Sequence, residues 1–115
     1  MPFDGFSQSH PDIERLQKAR TRLTWGWVQH HYHHHGAVCI SQAITMTCGD
    51  DAARIRRLVA RELPFPYRLL FFSTRVKIIM FNDHRGTTYE MALGLFDRAI
   101  ARQEEHIGEY CPCPI

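Results

Sequence analysis

Apolar residues recur along much of this chain at spacings of three and four. Ile13, Leu16, Ala19, Leu23 and Trp27 form one stripe, the signature of an amphipathic helix with one face turned to a core. Arg15, Lys18, Arg20 and Arg22 lie off it. Ser9-His10-Pro11-Asp12 supplies a start, with Ser9 able to accept from a backbone N–H three residues on and Asp12 complementing the first-turn dipole. Gly26 predicts a stop near 24–27. A second, short helix is predicted from about Cys39 to Met46, with Gly49 as its stop. Asp50 or Asp51 then caps a third, 52–63, with Ile55, Leu58, Val59 and Leu63 inside and Arg54, Arg57 and Arg61 on the opposite face. Pro64 and Pro66 end it. Thr87-Thr88-Tyr89-Glu90 reads as a capping box with Thr87 as the cap. It opens a final helix to about Glu105 whose core stripe is Ala92, Leu93, Phe96, Ala99 and Ile100.

Two segments lack a clear period. Residues 28–38 read as a loop or a helix extension ended by Gly36. Residues 67–81 are rich in β-prone side chains, and the pattern alone leaves them open between a β-hairpin and a short buried helix. Asn82-Asp83-His84-Arg85-Gly86 is turn chemistry. Residues 1–8 are aperiodic and read as a flexible lead, and 107–115 as a loose tail behind Gly108 and two prolines. The expectation is a mainly α, compact single domain over 9–106, built from four or five short helices.

Composition narrows the class. At 115 residues, 44% hydrophobic and 23% charged, the chain is too apolar and too weakly charged to be wholly disordered. No stretch approaches the ~20 apolar residues of a membrane span. The opening Met-Pro-Phe-Asp-Gly lacks the basic patch and apolar run of a secretory signal. These features predict a cytoplasmic protein away from membranes, with Cys39, Cys48, Cys111 and Cys113 as reduced thiols. The formal charge of +2 is not the footprint of an obligate nucleic-acid binder. Helix-turn-helix and zinc-finger spacings, a phosphate-cradling glycine loop and a His-Glu-x-x-His motif do not occur, so neither nucleic acid nor a cofactor is expected.

The candidate chemistry is sparse. In the run His30-His31-Tyr32-His33-His34-His35, a helical conformation would put His31, His34 and His35 on one face. Imidazoles so spaced bind zinc, copper or nickel, but a flexible run does so only opportunistically. Cys111-Pro112-Cys113 offers two ligands, too few for a structural zinc site. Cys39 at a helix N-terminus could be an activated thiol, with a histidine and Asp83 completing a Cys-His-Asp set. Its neighbours Val38, Ile40, Ala43 and Ile44 favour a buried, inert core residue. Asn82 and Asp83 suit either a turn closed on its own backbone or a binding role. Trp27 continues the core stripe, so Trp25, two residues earlier, is left to line a groove or an interface. The Arg54-Arg57-Arg61 face reads as a solvated helix surface.

Four segments in order carry a resemblance: Trp25-Gly26-Trp27-Val28-Gln29; Ala37-Val38-Cys39-Ile40-Ser41-Gln42-Ala43-Ile44; Phe81-Asn82-Asp83 with Gly86-Thr87-Thr88; and Leu95-Phe96-Asp97-Arg98-Ala99-Ile100. Over about 13–104 the chain resembles an uncharacterised family of small bacterial and phage-encoded proteins of unknown function. Gln42 stands where the pattern has glycine and Phe81 where it has tryptophan. The resemblance implies a mostly helical domain and no known activity. The function expected is a small non-enzymatic interaction or regulatory protein with a protein partner. A Cys39-dependent enzyme, and a metal- or nucleic-acid-binding module, are the alternatives.

Overall fold

The computed structural model describes residues 10–110. Helix α1, Pro11–Thr24, starts on the fixed φ of Pro11, and the His10 side chain accepts the Asp12 N–H at 3.2 Å. The cap is therefore His10; Ser9 lies outside the described residues. Asp12 and Glu14 occupy the first turn and Arg22 the last, each favourable to the helix dipole. Leu16, Ala19 and Leu23 are buried. Gly26 follows, where an added Cβ would lie 3.0 Å from the Ala37 Cα. Only glycine permits that approach, which lets the Val38 N–H reach the Gly26 carbonyl at 2.9 Å.

Residues 28–38 form neither a plain loop nor a helix extension. Strands β1 (His33–His34) and β2 (Ala37–Val38) pair antiparallel, His33 opposite Val38 and His34 opposite Ala37. The connection is the two residues His35 and Gly36, at φ +52° and +86°. Two successive positive φ values are the pattern of a type I′ turn, whose twist suits a tight hairpin. Trp27 adds a parallel bridge to Val38.

Helix α2, Ile40–Cys48, begins behind Cys39, whose sulfur accepts the Gln42 N–H at 3.4 Å. A 3₁₀ turn, Gly49–Asp51, leads into α3, Ala52–Ala60. The region 67–81 is not a hairpin. A 3₁₀ turn, Tyr67–Leu69, precedes α4, Thr74–Asp83, and Ser73 caps α4 by accepting the Val76 N–H at 3.2 Å. The physical reason lies in which side chains are buried: Ile78, Phe81 and Asn82 follow one another at helical spacing. The β-branched residues that suggest strands belong to a helix once a serine cap precedes them.

Helix α5, Tyr89–Tyr110, outruns the predicted end at Glu105 and passes through Gly108. Its cap is Thr88, which accepts the Met91 N–H at 3.1 Å; the buried Thr87 instead donates its hydroxyl to the Phe81 carbonyl at 2.7 Å. Asn82 and Asp83 sit in the last turn of α4, not in the turn beyond it.

Five α-helices thus enclose one core among the described residues. Helix α1 packs on α2 and α5, α2 on α3 and α4, and α3 on α4. Leu16, Leu23, Ile40, Ile44, Ile55, Ile78, Leu95 and Phe96 are fully buried within it. Arg20 spans α1 to α5 through Asp97 at 2.7 Å, and Arg54 spans α3 to α1 through Asp12 at 2.6 Å. No helix among the described residues is long and apolar enough to cross a membrane.

Candidate functional site

The loop between α1 and α2 is tied to the C-terminal turn of α4, and the tie is Asn82. Its side-chain oxygen accepts the Trp27 indole N–H at 2.8 Å and the Ile40 backbone N–H at 3.0 Å. Its amide donates to the Val28 carbonyl at 3.1 Å and to Asp83 Oδ1 at 2.9 Å. Asn82 is fully buried, and a primary amide has two donors and one carbonyl acceptor with two lone pairs. All four positions are filled. Burying an amide is tolerable only on those terms.

The neighbours extend the tie. Gln29 donates to the Asn82 carbonyl at 3.0 Å and to the His84 carbonyl at 2.7 Å, satisfying groups left open at a helix C-terminus. Asp83 Oδ1 also accepts the His30 backbone N–H at 2.7 Å, which holds His30 at φ +70°. A carboxylate opposes the dipole at a helix C-terminus, and these two N–H donors offset that opposition. The Cys39 N–H closes the loop on the Tyr32 carbonyl at 3.1 Å.

Around this tie lies a hollow of about 420 Å³ lined by His30, His31, Tyr32, Cys39, Ile79 and Asp83. The fold therefore brings Cys39, two histidines and Asp83 to one cavity, although Cys39 and Asp83 stand 44 positions apart. The chemistry of the thiol is nevertheless quiet. Cys39 is 3% exposed, and burial pushes its pKa up, with the Asp83 charge adding to the rise and the N–H groups of Gln42 and Ser41 opposing it. Among the described residues the sulfur accepts one hydrogen bond, from the Gln42 N–H, and no imidazole donates to it or accepts from it. A nucleophilic thiol needs a lowered pKa or a base in contact.

The other candidates sit apart. Trp25 is 73% exposed and lines a separate groove of about 630 Å³ with Glu14, Lys18, Arg22 and Met46. Trp27 is half-buried against the core. His31 and His34 stack face to face, centroids 4.6 Å apart, and His35 meets His34 edge-on; stacked faces do not converge ring nitrogens on a point. Among the described residues no three His, Cys, Asp or Glu side chains are grouped to hold a metal ion. Cys111 and Cys113 lie outside the described residues. Nothing in the local sequence marks Tyr32 as part of the site, and Gln29 is marked only by its place in the Trp25–Gln29 motif.

Comparison with protein-family models matches residues 8–102 to DUF6197, a family of unknown function. Neither the curated proteins nor the solved structures contain a match to the chain.

Proposed function

The chain belongs to DUF6197, a family of unknown function, and we propose that it is a non-enzymatic binding protein that docks a protein partner on the apolar segment joining α3 to α4. The observation that carries this reading is the exposure of that segment. Phe71 is completely exposed, Phe65 is 73% and Leu69 62% exposed, and Phe72, Val76 and Met80 continue the series. Leaving so many large apolar side chains in water forgoes burial free energy that a second surface would recover. Clustered exposure of this kind marks interaction surfaces in soluble proteins. The raised pKa of Cys39 and its lack of a contacting base weigh against the enzyme alternative.

The test is affinity capture with the wild-type chain, followed by reconstitution of the complex from purified components. Phe71→Asp and Leu69→Asp should keep the fold and abolish binding, while Cys39→Ser binds normally. Unchanged binding in both apolar variants would overturn the reading, as would a reaction that Cys39→Ser abolishes.

A further inference from the structure

A second hollow, of about 270 Å³, opens where the end of α3, the 3₁₀ turn at Tyr67–Leu69 and the start of α4 meet. Arg57 and Ala60 line it from α3, Arg61 from the cap that ends α3, Arg68 from the turn, and Thr74 and Lys77 from α4. Four cationic side chains from three elements thus face one small space. Arg57 and Arg61 are four apart on one helix face, where like charges repel. Among the described residues none of the four makes an ion pair.

The nearby carboxylates are already engaged. Asp12 and Asp51 hold Arg54, Asp51 also holds Arg15, and Glu62 holds Arg102. Residues 52–80 carry seven basic side chains and one acid, Glu62, in a chain whose net charge is only +2. The crowding extends around α3: burial and then the charge of Arg75 push the Arg56 guanidinium down. The Lys77 ammonium is held at the hollow by donating to the Arg68 carbonyl at 3.3 Å.

We infer that this hollow is an anion site for the di- or triphosphate group of a phosphorylated small molecule. Guanidinium forks pair bidentately with phosphate oxygens, and charge-assisted bonds of this kind are the strong ones. Thr74 adds a hydroxyl donor. A monophosphate carries at most two negative charges and leaves half of the four cations unneutralised; a diphosphate or triphosphate matches them. The hollow is open to solvent and small for a ligand pocket, so it takes the anionic group and leaves the rest of the molecule outside. A single-stranded nucleic acid needs instead a groove that follows its backbone over several nucleotides. The site shares the α3–α4 connection with the docking segment proposed above, Arg68 standing next to Leu69, but it does not rest on that reading.

Calorimetric titration of the full chain with inorganic pyrophosphate and with tripolyphosphate, at about 0.15 M salt where long-range attraction is screened, tests it. Saturable binding of one anion per chain is expected, weaker for orthophosphate. Arg61→Ala and Arg68→Ala should each weaken it about tenfold or more, the loss of one hydrogen-bonded charge contact. Arg85→Ala, an exposed arginine elsewhere, should leave it unchanged. Circular dichroism checks that each variant folds. No saturable binding, equal weakening by Arg85→Ala, or tighter binding of a single-stranded oligonucleotide that grows with its length would each overturn the assignment.

Discussion

The indole N–H of Trp27 donates to the side-chain oxygen of Asn82 at 2.8 Å, joining the end of the α1 stripe to the last turn of α4 across 55 positions. The same oxygen receives the Ile40 N–H that opens α2. Three elements thus depend on one amide.

Asn82→Ala should therefore be among the most damaging single changes. It strands the Trp27 and Ile40 donors and the Val28 acceptor, each costing about 1–3 kcal/mol if left buried and unpaired. A loss of roughly 3–5 kcal/mol is expected, read from the denaturant midpoint. Asn82→Asp keeps both acceptor contacts but donates nothing when ionised and sets a carboxylate beside Asp83. Burial and the neighbouring Asp83 disfavour that charge, so Asn82→Asp should be more destabilised at neutral pH than in acid, which denaturant midpoints at the two pH values check.

The two threonines before α5 should separate by mechanism. Thr88→Ala removes a helix cap and should cost about 1 kcal/mol, recoverable in large part with Thr88→Ser or Thr88→Asp. Thr87 is buried and bonded to the Phe81 carbonyl. Thr87→Val preserves its shape but not its hydroxyl, and should cost about 1–3 kcal/mol with no rescue by Thr87→Asp. Thermal midpoints of the five variants decide it.

Cys39 should resist iodoacetamide in the native protein at neutral pH and react on unfolding, because burial holds its pKa above the ordinary value of 9.0. Cys48 is raised in the same way, again first by burial. A folded-state pKa above the unfolded one means stability is complete below about pH 9 and declines as pH climbs through and past it. The melting temperature should therefore fall as pH rises above about 9, and fall less in Cys39→Ala. Peptide mapping after alkylation follows the first outcome and calorimetry the second.

Nickel or zinc should bind weakly and without fixed stoichiometry through His31, His34 and His35. Their rings are exposed, His31 stacked on His34 and His35 edge-on to it, and a specific site needs ligands fixed around one point. Titration calorimetry should show no sharp one-to-one step, and removal of metal by chelator should leave the melting temperature unmoved.

The strongly periodic helices are legible in the chain alone. The stripes of α1, α3 and α5 are local patterns, visible because residues three and four apart share a face whatever lies beyond. The short α2 is marked instead by its run from about Cys39 to Met46 and the stop at Gly49. Residues 67–81 are not legible, because β-branched and aromatic side chains suit either element. Only the core position that receives Ile78, Phe81 and Asn82 makes that stretch a helix. The hairpin fell instead at 33–38, where two positive φ values at His35 and Gly36 permit it and where a histidine run hides any alternation. Thr87 and Thr88 are interchangeable as letters; the nearby Phe81 carbonyl takes one and leaves the other to cap. The roles of Asn82, Gln29 and Asp83 rest on partners 42 to 55 positions away. No local pattern encodes such distances, because they come into being only when α4 packs against the start of α2.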